Sequence, residues 1–284
     1  MYKILRKKAL NSTVTQMEIE APLVARKARP GQFIILRVNA EGERIPLTIA
    51  GTDPAEGSVK IIFQIVGATT ELLNAKQEGE YIQDFAGPLG EATKLEGLKK
   101  VCIIGGGVGC AIAMPIAQAL HEQGAEVTSV IGFRNRDIVI LEDEFRACSD
   151  ELFVMTDDGS YGQQGNVTVP LKEMLEGGRS FDMIITIGPL IMMKFVTLTA
   201  KPFGAPVTVS MNPIMIDGTG MCGGCRLTLT RNGERITKFA CVDGPDFDGY
   251  EVDFDEAMSR GRMYTEFERR AHEETCNLLR REEY

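Results

Sequence analysis

The order of apolar and polar positions changes character twice along the chain. Up to about residue 97, apolar residues come in short runs. The stretch 12–20 alternates through Val14, Met17 and Ile19; 32–38 is strongly apolar; 58–66 carries Val59, Ile61, Ile62, Phe63, Ile65 and Val66. Breakers such as Pro30-Gly31, Asp53-Pro54, Glu56-Gly57 and Gly87-Pro88 separate the runs. Short strands with regular turn signals predict a small β-barrel or sandwich, interrupted by one short helix over 69–76.

From Lys99 the period changes. Val101-Cys102-Ile103-Ile104 is a continuous apolar run that enters Gly105-Gly106-Gly107. Helical patterns at 111–122, 137–148, 169–175 and 191–199 then alternate with apolar runs at 126–133, 152–156, 181–187 and 206–210. Strands alternating with helices predict βαβ units around a parallel sheet. After Met211 the texture breaks again, into a stretch rich in Gly, Asp and Cys. Two short strands, 226–230 and 236–240, flank Arg231-Asn232-Gly233-Glu234, and Asn-Gly is a hairpin signal. Beyond Asp253, Phe254, Ala257, Met258, Tyr264, Phe267, Ala271 and Leu278 recur at helical spacing, with Asp253 and Glu256 placed to form a capping pair. The expected division is a β-barrel domain over 1–97, an α/β domain over 98–211, a cysteine segment over 212–250 and a C-terminal helix over 251–284.

Charge narrows the function classes. The 284 residues include 31 Lys+Arg and 40 Asp+Glu, a net charge of −9 with no basic block. Such a chain is a poor binder of nucleic acid or anionic membranes. It holds no apolar run long enough to span a membrane. Its charged N-terminus is not followed by the apolar stretch of a signal peptide, so a cytoplasmic protein is expected. Seven cysteines and no tryptophan are the compositional oddity. An odd number cannot all pair internally, and in a reducing compartment they should not pair at all.

Three of them stand close together, in Asp217-Gly-Thr-Gly-Met-Cys222-Gly-Gly-Cys225, with Cys241 following the hairpin. The plant-type [2Fe–2S] spacing is C-x4-C-x2-C…C; this chain has D-x4-C-x2-C-x15-C, with Asp217 in the first slot. Glycines on either side let a backbone wrap closely around a cluster. A carboxylate is a harder ligand than a thiolate but still coordinates iron. Two other readings stay open: zinc held by Cys222, Cys225, Cys241 and a fourth ligand, with neither His121 nor His272 placed to complete it, and a redox dithiol. Cys102, Cys110, Cys148 and Cys276 read as buried structural thiols.

Gly105 and Gly107 sit where a dinucleotide-binding turn would have them, between a buried strand and a helix. Cys110 stands at the third glycine of that fingerprint, and no acidic residue closes the second strand. The turn is therefore either a phosphate site or a tight structural turn. In the β-rich part, Arg44-Ile45-Pro46-Leu47-Thr48 offers an arginine for a pyrophosphate and a hydroxyl for a flavin edge. Residues 63–70, including Gln64, Val66, Gly67, Thr69 and Thr70, offer backbone N–H groups and hydroxyls at a helix start. The alternatives are a solvated arginine and threonines that cap a helix.

Taken in order, these motifs resemble the ferredoxin–NADP reductase superfamily over nearly the whole chain. The resemblance is closest to two subfamilies: the electron-transfer subunit of dihydroorotate dehydrogenase B, and the small subunit of NADH-dependent reduced ferredoxin:NADP oxidoreductase. Asp217 and the long C-terminal helix look like the latter. The resemblance implies FAD held by Arg44, Pro46, Leu47 and Thr48, with Gln64, Val66, Gly67, Thr69 and Thr70 nearby. It implies NAD(H) with its phosphates near Gly105, Gly107 and Gly109, a Gly188-Pro189-Leu190 loop closing on the nicotinamide, Asp157 lining the cleft and Arg134 reaching ribose or phosphate. Asp217, Cys222, Cys225 and Cys241 would hold a [2Fe–2S] cluster. The implied activity is NAD(P)H-dependent electron transfer: hydride exchange at FAD, then single electrons through the cluster to a larger iron–sulfur flavoprotein partner. Ferredoxin and NADP would react with that partner. The alternative is the pyrimidine enzyme's electron-transfer subunit. From another class, a zinc-stabilised nucleotide-binding regulator would need no redox cofactor.

Overall fold

The computed structural model describes residues 1–263, 265–271 and 273. Its first unit is a seven-stranded antiparallel half-barrel of β1 (Tyr2–Ala9), β2 (Val14–Glu20), β3 (Phe33–Arg37), β4 (Arg44–Asp53), β5 (Ser58–Gln64), β6 (Tyr81–Ile82) and β7 (Asp84–Leu89). Two short helices interrupt it, α1 (Pro22–Ala25) and α2 (Ala68–Ala75). The strand order is β6-β1-β2-β5-β4-β3-β7. Inward-facing Ile4, Met17, Ile34, Leu36, Ile61 and Phe63 form its core. β1, β6 and β7 were not predicted. In β1 only Ile4 is fully buried, while Lys3, Arg6 and Lys8 line the exposed face, so the apolar signal is one residue wide.

The second unit contains β8 (Lys100–Gly106), α3 (Cys110–Glu122), β9 (Glu126–Phe133), α4 (Glu142–Ala147), β10 (Glu151–Thr156), β11 (Gln163–Gln164), α5 (Thr168–Glu176), β12 (Met183–Ile187), α6 (Leu190–Ala200) and β13 (Val207–Ser210). The sheet order β11-β10-β9-β8-β12-β13 is parallel throughout, as the βαβ reading required. The helix expected over 137–148 is shorter. Asn135 caps a 3-10 turn at Arg136–Ile138, Ile140 is buried, and Leu141 takes a left-handed φ of 60° before α4 begins.

Beyond β13 come β14 (Arg226–Arg231), β15 (Glu234–Phe239), α7 (Ala240–Asp243), β16 (Asp246–Asp248) and α8 (Phe254–Gly261). Asn232 and Gly233 both have positive φ, 53° and 83°, the two-residue turn that Asn-Gly favours. β16 was not predicted. It pairs antiparallel with β13 and becomes the seventh strand of the parallel sheet, so the chain leaves this sheet after Ser210 and returns to it at Asp246. The Asp253 carboxylate accepts the Glu256 N–H at 3.0 Å and caps α8. Residues 265–271 are helical. Tyr264, His272, Cys276 and Leu278 lie outside the described residues, as does the last part of the predicted C-terminal helix, 274–284.

The units share their cores. Val14, Ala50 and Ile62 of the half-barrel pack with Ala113, Ile116 and Ala117 of α3. On the opposite face of the parallel sheet, Phe33 and Ile35 join a cluster that includes Cys225, Leu227 and Cys241. The cysteine segment therefore touches both the barrel and the parallel sheet. Among the described residues no helix is long and apolar enough to cross a membrane.

Candidate functional site

The β14–β15 hairpin brings residues far apart in sequence together. Cys225 precedes β14 and Cys241 follows β15, and the Ala240 N–H donates to the Cys225 carbonyl at 3.1 Å. The two sulfurs are 3.2 Å apart and both side chains are buried. Burial, reinforced by the neighbouring Cys225, pushes the Cys241 thiol up to about 12.

Asp217 and Cys222 form a second pair. One Asp217 oxygen accepts the Thr219 N–H at 2.8 Å and the other accepts the Cys222 N–H at 2.7 Å. These donors, Thr219 foremost, hold the Asp217 carboxyl below the usual range. The exposed Cys222 sulfur accepts the Gly224 N–H at 3.5 Å. The Gly220 backbone lies where it favours the ionised forms of both Asp217 and Cys241, so one loop serves both pairs. Gly218 has φ +75° and presses so closely on the barrel that a Cβ would lie 2.6 Å from Leu89 Cδ1 and 3.2 Å from Ile35 Cγ1.

Among the described residues no three His, Cys, Asp or Glu side chains converge on one metal-ion position. A structural zinc needs four ligands on one centre, whereas a [2Fe–2S] cluster distributes its ligands over two irons. Three thiols and a carboxylate arranged as two pairs on a glycine-rich loop fit the binuclear group. Four large apolar residues of the same segment, Ile214, Ile216, Met221 and Val242, are exposed.

On the barrel, β4 pairs with β3 so that Arg44 faces Arg37, Pro46 faces Ile35 and Thr48 faces Phe33. Alternation puts Arg44, Pro46 and Thr48 on one face, and Leu47 packs on the barrel core. Asp84 of β7 bonds Arg37 at 2.7 Å and lies 3.9 Å from Arg44. Arg37, Arg44 and Asp84, with Ile35 and Ala86, line a cleft of ≈ 330 Å³, and Asp217 forms part of its wall. The predicted flavin arginine and the predicted cluster carboxylate therefore face one space. Arg37 and Asp84 carry no motif; only strand register aligns them with Arg44.

At α2 the Thr70 hydroxyl accepts the N–H groups of both Val66 and Gly67 at 3.0 Å and donates to the Gly67 carbonyl at 2.8 Å. Thr70 thus caps the helix. The donors left for a ligand are the first N–H groups of α2 itself. Thr69 reaches Glu43 at 3.5 Å, and Gln64 and the Val66 side chain are exposed.

The glycine turn ends β8, and Gly188-Pro189 follows β12 next to it. With strand order β10-β9-β8-β12-β13, these two loops flank the point where the order reverses, the place where open α/β sheets bind ligands. A Cβ on Gly109 would lie 2.4 Å from the Ile187 carbonyl oxygen, and one on Gly188 would lie 3.2 Å from Gly106 Cα. Gly107 has φ +55° and nothing within 4 Å of where its Cβ would be, which leaves an open cradle. Cys110, the departure from the fingerprint, is fully buried. Its sulfur sits where a Cβ on Gly105 would be 2.8 Å away, so the missing glycine at 110 is compensated by the one at 105.

Arg134 and Asp157 end β9 and β10 on the same rim, tied by the Asp157 N–H to the Phe133 carbonyl at 3.0 Å. Both side chains are exposed. Beside them the Arg136 guanidinium lies over the Tyr161 ring at 5.4 Å, a platform that no sequence signal marked.

An antiparallel half-barrel followed by a parallel sheet with a glycine turn at its switch point defines a ferredoxin reductase-like flavoprotein fold. A ferredoxin reductase of carbazole 1,9a-dioxygenase shares it at 17% identity (TM-score 0.62, 73% of this chain and 67% of that one). A chain in the structure of the NADH-dependent reduced ferredoxin-NADP oxidoreductase, studied for flavin-based electron bifurcation, matches with TM-score 0.89 and 45% identity over 96% of this chain and 97% of that one. The Thermotoga maritima homolog of the dihydroorotate dehydrogenase B (NAD(+)) electron transfer subunit is 47% identical, with 95% of this chain and 94% of the relative covered. Residues 212–253 match the family model of the iron-sulfur cluster binding domain of dihydroorotate dehydrogenase B. The chain belongs to the family of dihydroorotate dehydrogenase B electron transfer subunits and their homologs, whose members are subunits of oxidoreductases.

Proposed function

We propose that this chain is the NAD(H)-reactive subunit of a two-subunit, electron-bifurcating NADH-dependent reduced ferredoxin:NADP oxidoreductase, working in the cytoplasm beside a larger iron–sulfur flavoprotein. The observation that carries the reading is the shared cleft: Asp217 of the cysteine loop and Arg44 of the flavin strand line the same space. FAD supplies hydride chemistry when bound, and the [2Fe–2S] cluster carries electrons one at a time. The chain's own residues bind and orient. Arg44, Pro46 and Thr48 offer one strand face to the flavin, and the α2 N-terminus offers N–H groups to its phosphates. Gly105, Gly107, Gly109, Gly188 and Pro189 shape the nucleotide seat, with Arg134 and Asp157 on its adenosine side. Asp217, Cys222, Cys225 and Cys241 hold the cluster, and the exposed apolar residues of this segment, Met221 among them, offer a surface to the partner. The division we assign is 1–97 for flavin, 98–211 for nucleotide, 212–250 for the cluster and 251–284 as a C-terminal segment.

A second reading makes the partner a dihydroorotate dehydrogenase, in line with the names of the relatives. Asp217 in place of a thiol favours the first. The subunit that co-purifies from the native source decides between them. Either way, the flavin-loaded chain alone should reduce an artificial dye with NADH, and its failure to do so would remove both readings. Asp217→Cys should keep a cluster with changed electron paramagnetic resonance. Asp217→Ala with an unchanged spectrum and potential would show that Asp217 is not a ligand.

A further inference from the structure

The cysteine segment leaves the parallel sheet after Ser210 and re-enters at Asp246, and those two residues are paired in the sheet. Entry and exit thus form one neck. Across it the Met211 N–H donates to the Pro245 carbonyl at 2.9 Å. The neck also meets the connector from the barrel. The Glu91 N–H donates to the Gly244 carbonyl at 2.7 Å, and the Thr93 hydroxyl lies 2.6 Å from Asp246 Oδ2. Gly31, at φ +87°, makes room for this reach, because a Cβ there would stand 2.1 Å from the Thr93 hydroxyl oxygen.

Asp246 is an unusual choice for such a place. Its Oδ1 is buried with no hydrogen-bond partner among the described residues. Burial pushes its carboxyl up. Among the described residues no cation pairs with it, and an ionised carboxylate there would carry an uncompensated buried charge. Ordinary packing would be served better by an apolar side chain. Two hydroxyls bear on this carboxyl, those of Thr93 and Ser210, and Thr93 is the one that ties it to the barrel connector.

We propose that Asp246 is a positioning residue: a buried carboxyl that locks the neck of the cluster-bearing segment to the barrel connector through Thr93, and so fixes the spacing between the flavin strand and the cluster ligands. Cys241 lies on α7, whose last residue directly precedes the Gly244-Pro245-Asp246 neck, so a shift of the neck carries that ligand with it. The asymmetry of such a lock is that it acts on the internal electron step and leaves the nucleotide seat alone. This inference rests on the proposed function, because it needs a flavin and a cluster that exchange electrons.

The test uses the flavin- and cluster-loaded full chain mixed rapidly with NADH. Flavin reduction is followed by absorbance and cluster reduction by freeze-quench electron paramagnetic resonance. In Asp246→Ala and in the near-isosteric Thr93→Val, cluster reduction should slow severalfold, because single-electron transfer weakens steeply as donor and acceptor move apart. Flavin reduction should stay within about twofold of wild type, because the nucleotide seat is left alone. Asp246→Asn, whose amide oxygen still accepts from Thr93, should restore the wild-type rate. Thr93→Val covers the case in which Asp246→Ala does not fold. Wild-type cluster rates in Thr93→Val, or an Asp246→Asn as slow as Asp246→Ala, would overturn the lock. A wild-type cluster that NADH never reduces would instead overturn the functional reading beneath it.

Discussion

Cys225→Ser and Cys241→Ser proteins should purify with flavin absorption intact and iron–sulfur absorption lost. The two sulfurs sit 3.2 Å apart in a buried pocket, delivered by opposite ends of one hairpin. Both must lose their protons to bind metal, and at Cys241 burial opposes this, holding its thiol up near 12. Only the metal's own charge makes the thiolates affordable, so binding and deprotonation occur together. A serine hydroxyl ionises less readily than a thiol and is the harder ligand. Cys222→Ser should be milder, because Cys222 is exposed and its sulfur accepts a backbone N–H. Iron content per flavin is the measurement; full iron content in Cys241→Ser would contradict the ligand assignment.

Gly109→Ala should cost at least tenfold in apparent NADH affinity while leaving flavin and iron content unchanged. The backbone at Gly109 is ordinary helix, φ −59°, so the penalty is not conformational strain. It is contact: the new methyl would meet the Ile187 carbonyl oxygen at 2.4 Å and Gly188 Cα at 2.8 Å. These are backbone atoms at the end of a central strand and cannot turn aside as a side chain would. The glycine turn and the Gly188 loop must separate, with an overpacking cost of about 1–3 kcal/mol. The space opened is the crevice where the nucleotide is expected. Titration of flavin reduction against NADH concentration reads the effect, and wild-type affinity would show that the nucleotide binds elsewhere.

Much of this architecture was legible because its signals are local. The apolar run 101–104 entering glycines, the alternation over 58–66 and the Asn232-Gly233 turn each follow from a few neighbouring residues, and each element formed where its pattern lay. β1 was hidden because one buried side chain suffices for a strand with an exposed face. β16 was hidden because three residues, two of them acidic, make a strand only beside β13. The four candidate ligands of the cluster were proposed from their spacing and the glycines around them. Their grouping into two pairs was not, since it depends on the hairpin's return. The Arg37–Asp84–Arg44 contacts and the Thr93–Asp246 bond join residues tens to more than a hundred positions apart, and no periodicity carries such information.

The adjacency of β13 and β16 has an architectural consequence. Antiparallel neighbours need only a two-residue turn to connect them, yet here the whole cysteine segment stands between Ser210 and Asp246. It is in effect an elaborated hairpin loop on a sheet that would close without it. Insertions at such a point are cheap, because loop entropy rises slowly with length and the flanking register is already set by the sheet. An electron-carrying arm could therefore be grafted onto, or pruned from, a hydride-handling scaffold without redesigning the scaffold.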